Sequence, residues 1–301
     1  MSDLPAWPAQ TAMKWTIAGS LVVASQLGHP AMALDITSLW DFGNPALSEQ
    51  RFRDALNGAS ADEALTLQTQ IARSYGLRNE LARARETLAS ICEAATRASP
   101  EVRVRYALEL GRTWASAAHS PESQTPATRD TARRLYTEAF EIARDAKLDY
   151  LAIDALHMMA FVDTEPAAQL AWDLKALAYM EASPQAEAKR WEGSLRNNIG
   201  YALHLQGRYD EAMTQLRLAL AAREREGKPE RIREAWWMIA WTLRAQGKLD
   251  DALAIQLRLE REWDAAGKPD ADVFEELELL YRAKGNAARA AEFAEKRLSA
   301  N

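Results

Sequence analysis

The stretch that decides the fold is Ile199-Gly200-Tyr201-Ala202-Leu203-His204-Leu205-Gln206-Gly207-Arg208-Tyr209-Asp210-Glu211-Ala212, continuing to Leu216 and Ala219. An apolar residue is followed by a small one, a large residue comes three later, Gly207 closes a turn, and Ala212 opens a second helix. Forty positions on, Ile239-Ala240, Leu243, Gly247, Leu249 and Ala252 repeat these offsets, and the linker Gly227-Lys228-Pro229 recurs as Gly267-Lys268-Pro269. An earlier copy carries Ile71-Ala72, Tyr75, Asn79, Leu81, Ala84, Leu88 and Ile91, and a late one Leu277-Glu278, Tyr281, Gly285, Ala287 and Ala290. Gly207, Gly247 and Gly285 stand where a helix ends and the chain reverses. Pro229 and Pro269 follow helices that they could not continue.

Two copies depart from the pattern. Leu110-Gly111 and Trp114 predict a helix ending near His119, then a loop over Ser120–Pro126 before Ala132, Tyr136 and Ala139. Met159-Ala160 is followed by a short turn, Asp163-Thr164-Glu165-Pro166, after which the register of Gln169–Ala178 stays open. Ahead of the first copy, Pro45–Leu56 predicts one helix with Asn44 as its N-cap, covering the open end of a stack.

The recurring block resembles the tetratricopeptide repeat, a pair of antiparallel helices with small residues at the close crossing. The longer spacing, and the run from Arg196 to Glu224, resemble the long repeats of kinesin light chains and their bacterial relatives. The resemblance implies an all-α chain, a right-handed α-solenoid, and the six-fold recurrence predicts six helix pairs or partial pairs between Asp62 and Leu298 with no β-strand of any length. Residues 35–60 form the N-terminal cap and 61–301 the solenoid. Cys92, near the end of the first pair, is expected to be buried.

Composition narrows the function classes. The 301 residues are 48% hydrophobic and 27% charged, as in ordinary globular proteins. A single cysteine excludes an internal disulfide and a multi-cysteine zinc site. Residues 35–150 hold 15 basic and 17 acidic side chains and residues 151–301 hold 21 and 25, so neither half has the basic excess of a nucleic-acid binder. No nucleotide loop, nucleophile elbow or H-E-x-x-H motif occurs, and the four histidines are scattered singly. No catalytic residue, metal or cofactor is assigned, and the chain is expected not to be an enzyme.

Residues 1–34 read as an N-terminal extension or a signal peptide. Lys14 precedes the mostly apolar Trp15–Leu27, and Ala31-Met32-Ala33 offers a cleavage pattern. The segment is too short to span a membrane. A cytoplasmic location is expected if it is an extension, a periplasmic or secreted one if residues 1–33 are removed.

The candidate site follows from helical geometry. In stacked repeats the first helices line the concave surface, and residues three before, one after and four after the small position share that face. These offsets give Thr69, Arg73 and Gly76, then Leu108, Arg112 and Ala115, then His157, Phe161 and Thr164, then Asn197, Tyr201 and His204, then Trp237, Trp241 and Arg244, and in the last copy Glu275, Leu279 and Arg282. Of these, Arg73, Arg112, His157, Phe161, Asn197, Tyr201, His204, Trp237, Trp241 and Arg244 are the binding candidates. A solvated face would be rich in Lys, Glu and Gln, whereas aromatics, His, Asn and Arg are recognition types. The resemblance further implies that Asn197 holds the backbone of a bound peptide. The expected function is a protein or peptide scaffold whose ligand, facing Arg112 and Arg244, is acidic or carboxylate-bearing. The alternative is a regulatory domain sensing a small anion.

Overall fold

A computed structural model describes residues 34–300, so the readings of residues 1–33 lie outside the described residues. Among the described residues there are α-helices and two short 3-10 turns, and no strand. Two leading helices, α1 (Ile36–Leu39) and α2 (Pro45–Ala55), precede twelve further α-helices among the described residues. Helix α3 (Ala61–Leu77) pairs with α4 (Leu81–Arg97), α5 (Pro100–Arg112) pairs with α6 (Pro126–Asp145), α7 (Asp149–Met159) packs on α6, and α8 (Pro166–Ala182) follows in the chain. Then follow α9 (Glu192–Leu205) with α10 (Tyr209–Glu226), α11 (Pro229–Ala245) with α12 (Leu249–Ala265), and α13 (Ala271–Ala283) with α14 (Ala287–Ser299). This is the all-α architecture of a tetratricopeptide-type α-solenoid. Two compact units emerge: unit 1 comprises residues 34–164 and 178–189, unit 2 residues 165–177 and 190–300.

Local sequence sets the boundaries. Asn44 caps α2 by accepting from the Leu47 amide, with Pro45 in the first turn, where its missing N–H costs nothing. Ser60 and Glu63 form a reciprocal capping box on α3. Between the members of each unit 2 pair, the backbone turns through a left-handed residue, Gly207, Gly247 or Gly285, with φ between +72° and +76°. The equivalent turn of the first pair uses Asn79 at φ +61°, the non-glycine type that tolerates this region best.

Packing follows the repeat. The second helices bury a stripe at helical spacing, Ala84, Leu88, Ile91 and Ala95 on α4 and Ala212, Leu216 and Ala219 on α10. The first helices meet them through small residues. A Cβ placed on Gly200 would lie 2.7 Å from Leu216, and one on Gly111 would lie 2.5 Å from the Tyr136 ring. In unit 1 the leading helices seal the first pair. Trp40 is buried, stacks on Phe42 at 4.6 Å, meets Phe52 edge-on at 4.9 Å, and donates its indole N–H to Gln70 at 3.0 Å.

Two local expectations need correction. Cys92 is exposed, because it lies one position beyond Ile91 and so turns off the buried stripe. Helix α5 stops at Arg112 rather than near His119. Residues 113–118 continue as turns, held by the Tyr136 hydroxyl donating to the Ala115 carbonyl at 2.6 Å and by His119 against Thr113 and Ser116. No helix among the described residues is long and apolar enough to cross a membrane.

Candidate functional site

The ten candidate residues divide between the units, and their chemistry divides with them. In unit 1, Arg73 on α3 and Arg112 on α5 both donate to one oxygen of Glu109, at 3.1 and 2.6 Å. Arg112 reaches onward to Asp154 on α7 at 2.5 Å. Two guanidinium groups and two carboxylates thus alternate across the first helices of three consecutive pairs. Both carboxylates are almost fully buried, with 4% of the Glu109 side chain and 9% of the Asp154 side chain exposed. Burial by itself would raise the Asp154 carboxyl, but the charges of Arg112 and Arg73 and the hydrogen bond from Arg112 outweigh it and hold it below the ordinary range. Arg73 also lies over the Trp40 and Phe42 rings at 5.9 and 5.8 Å. The arginines are therefore committed to protein partners. His157 is buried on α7 with its ring edge-on to Phe161 at 5.1 Å, and Phe161 itself sits in the turn just beyond that helix.

In unit 2 the face of α9 and α11 carries an aromatic stack. Trp241 is parallel to Tyr201 at 5.7 Å, to His204 at 3.3 Å and to Trp237 at 5.9 Å. Tyr201, Trp237 and Trp241 are half-buried and His204 is buried. The repeat dictates this gathering: Tyr201 and Trp241 each follow the small residue of their copy by one position, so neighbouring first helices place them side by side. His204 Nδ1 lies 3.0 Å from the Thr242 hydroxyl, and that hydroxyl donates to the Met238 carbonyl at 3.0 Å. Burial, assisted by the nearby Arg244 charge, lowers the His204 pKa to about 4, so the ring is neutral at pH 7. Burial also pushes the Tyr201 hydroxyl upward.

Asn197 stands one helical turn before Tyr201 on α9. It is only 9% exposed, yet its side-chain amide has no hydrogen-bond partner among the described residues. Arg244, next on the same face, makes two parallel hydrogen bonds to Glu276 on α13, at 2.8 and 2.7 Å. Glu276 is almost fully buried, so this arginine too is already matched.

The carboxylates Glu109, Asp154 and Glu276 fell outside the offsets used to choose the site. A signal for two of them was present. Arg73 and Arg244 follow the small residue of their copies, and Glu109 and Glu276 each stand two before the small position of the next copy, Gly111 and Glu278. An arginine on one copy facing an acid at that earlier offset on the next is a pairing rule within the repeat. Among the described residues, no group of three or more His, Cys, Asp or Glu side chains is arranged to hold a metal ion.

The tetratricopeptide repeat family model matches residues 191–261, which contain α9, α10, α11 and most of α12. That segment is a run of tetratricopeptide repeats, and the helix pairs flanking it share its architecture. Among solved structures, the chain is similar to a signal transduction ATPase with a tetratricopeptide repeat sensor from Pyrococcus horikoshii, with TM-score 0.61 and 12% identity. The match covers 86% of this chain but only 39% of that protein. BtubC (BKLC) from P. vanneervenii matches with TM-score 0.56 and 15% identity over 75% of this chain and 91% of that one. A Podosopora anserina protein of nearly identical TPR-like repeats, of the kinesin light chain kind, matches with TM-score 0.50 and 15% identity over 69% and 99% of the two chains. No curated protein matches in sequence.

Proposed function

We propose that the chain is a non-enzymatic recognition scaffold that binds an extended protein or peptide segment on the first-helix face of unit 2. One observation carries the reading: the half-buried rings of Tyr201, Trp237 and Trp241 form a stack whose Tyr201 stands one helical turn from Asn197, an amide with no hydrogen-bond partner among the described residues. Rigid aromatic rings supply contact area at little cost in rotamer entropy, and an unengaged amide offers both a donor and an acceptor to a peptide backbone. An acidic ligand draws little support from the arginines, because Arg73, Arg112 and Arg244 are each bonded to a carboxylate. The small-anion alternative loses its motive for the same reason.

The test is panning of a random dodecapeptide display library on the purified chain. Enriched peptides are expected to bind the native protein and to lose about ten-fold or more in affinity to Asn197→Ala and to Trp241→Ala, with the helical circular-dichroism signal unchanged. Failure to enrich any peptide, or equal binding by both variants, would overturn the reading.

A further inference from the structure

The aromatic rings of this protein are not treated alike. Among the described residues, Trp40 lies under Arg73, Trp114 under Arg85 at 4.4 Å, Trp172 under Lys175 at 4.8 Å, Trp236 under Arg258 at 4.3 Å and Trp263 under Arg233 at 4.0 Å. Tyr75, Tyr281 and Phe293 are covered in the same way. Trp237 and Trp241 are half-exposed and, among the described residues, have no Lys or Arg over them. The contrast is sharpest between neighbours, since Trp236 faces Arg258 and Trp237, one position on, faces the stack.

The charges around the stack point the same way. Arg244 is matched two-for-two by Glu276, which removes its positive charge from the account. His204, stacked on Trp241, is neutral at pH 7. The remaining charge belongs to Glu275 on α13, whose side chain is 42% exposed and close enough to act on Arg244. Its nearest salt-bridge partner, Arg297, is at 3.9 Å, beyond hydrogen-bond length. Trp237 packs against the hydrophobic cluster built from Val273, Phe274 and Leu277 on that same helix. Trp237, an aromatic face without a cation, thus packs against the helix that carries this exposed carboxylate.

We infer that the unit 2 site selects a segment bearing a basic side chain, whose Lys ammonium or Arg guanidinium lies against the Trp237 and Trp241 rings with Glu275 as its counter-ion. The inference rests on the proposed peptide-binding role of this face and names the ligand chemistry that role implies. A cation over an indole is attracted by the negative face of the ring, and the attraction grows where water is displaced. Glu275 adds a second attraction that an acidic residue would feel as repulsion.

The test uses three small probes, N-acetyl-arginine amide, N-acetyl-leucine amide and N-acetyl-glutamate amide. Binding is read from the indole ¹H–¹⁵N signals of the full chain, with Trp237 and Trp241 assigned through Trp237→Phe and Trp241→Phe. The arginine probe is expected to shift both signals and to bind about five-fold or more tightly than either other probe. Its advantage should shrink several-fold in Glu275→Gln and on raising salt from 0.05 to about 0.5 M, since Debye screening weakens an exposed pair. Preference for the leucine probe would overturn the inference while leaving the peptide-binding role intact. Preference for the glutamate probe, or no shift at either indole with any probe, would also overturn it. The library experiment judges the broader reading separately, because enrichment there does not depend on a basic residue.

Discussion

Units 1 and 2 use equivalent positions of the same helix pair for opposite purposes. In unit 1 the residues after the small position are Arg73 and, one copy on, Arg112, and both are spent on Glu109 and Asp154 inside the protein. In unit 2 the same position holds Tyr201 and Trp241, which spend themselves on each other and on His204, leaving ring area exposed. The first arrangement makes a face whose charges are satisfied internally. The second makes one with surface to offer. A repeat framework does not by itself define a binding site, because the same offset can serve as internal adhesive or as recognition surface.

The strongest way to test that contrast is to break the charge ladder. Arg112→Met removes the cation that bonds both Glu109 and Asp154, leaving Glu109 to Arg73 alone and stranding the nearly buried Asp154 carboxylate. The expected loss is about 3–5 kcal/mol, read as lost amide-exchange protection across α5, α6 and α7, with the unit 2 indole signals unmoved. A loss below about 1 kcal/mol would mean that water reaches Asp154 and that the ladder is an ordinary surface network.

Acid separates the units next. His204 is neutral in the folded state with its pKa lowered to about 4 by burial and then by Arg244. The unfolded chain binds that proton near pH 6.5. Between these values the unfolded state holds more protons, so stability in unit 2 falls as pH drops from about 6.5 to 4, by an amount on the order of 2–3 kcal/mol. Unit 1 behaves differently. Burial acts to raise the Glu49 carboxyl, but hydrogen bonds from Arg78, Tyr75 and Arg53 hold it down at about 2. Asp154 is lowered as well. Their contribution is present above the unfolded carboxylate values and is lost only as pH falls from about 4.5 toward 2. Amide exchange at pH 5 is therefore expected to loosen α9 and α11 before α5 and α7. His204→Gln should remove the difference between pH 7 and pH 5. An unchanged pH slope in that variant would show that His204 is not the titrating group.

How much of this was legible in the sequence depends on range. The alternation of helices and tight turns, the α2 cap at Asn44 and the turns at Gly207, Gly247 and Gly285 depend on local chemistry, and all were readable. So was the approach of Tyr201 to Trp241, because equal offsets on adjacent first helices bring equivalent positions together. The commitment of Arg73, Arg112 and Arg244 was not foreseen, since it depends on acids 32 to 42 positions away that sit on a different offset. Cys92 was misplaced because a one-position error on a helix turns a side chain about 100°, enough to carry it from the stripe to solvent. The end of α5 was missed because Tyr136, from the partner helix, captures the Ala115 carbonyl, a tertiary bond with no local signature.

The smallest expected effect runs opposite in sign and tests whether the unit 2 core is optimised. Gln256 on α12 is fully buried, and neither its amide nitrogen nor its oxygen has a hydrogen-bond partner. It stands four positions after the small Ala252. The same offset holds Leu88 after Ala84, Tyr136 after Ala132 and Leu216 after Ala212, all fully buried. The repeat therefore calls for a large apolar side chain or one whose polar atom reaches a partner, as Tyr136 does. An unsatisfied buried amide costs about 1–3 kcal/mol, whereas an apolar residue of similar size removes that cost and keeps most of the packing. Gln256→Leu is expected to stabilise unit 2 by about 1–2 kcal/mol, seen as a higher denaturant midpoint at unchanged m-value. The mirror substitution Leu216→Gln should cost at least as much, since it introduces the same unpaired amide at a position already well packed. A loss of stability in Gln256→Leu would show that the amide holds an ordered water in the core, and the departure of Gln256 from the repeat would then be a structural requirement of unit 2.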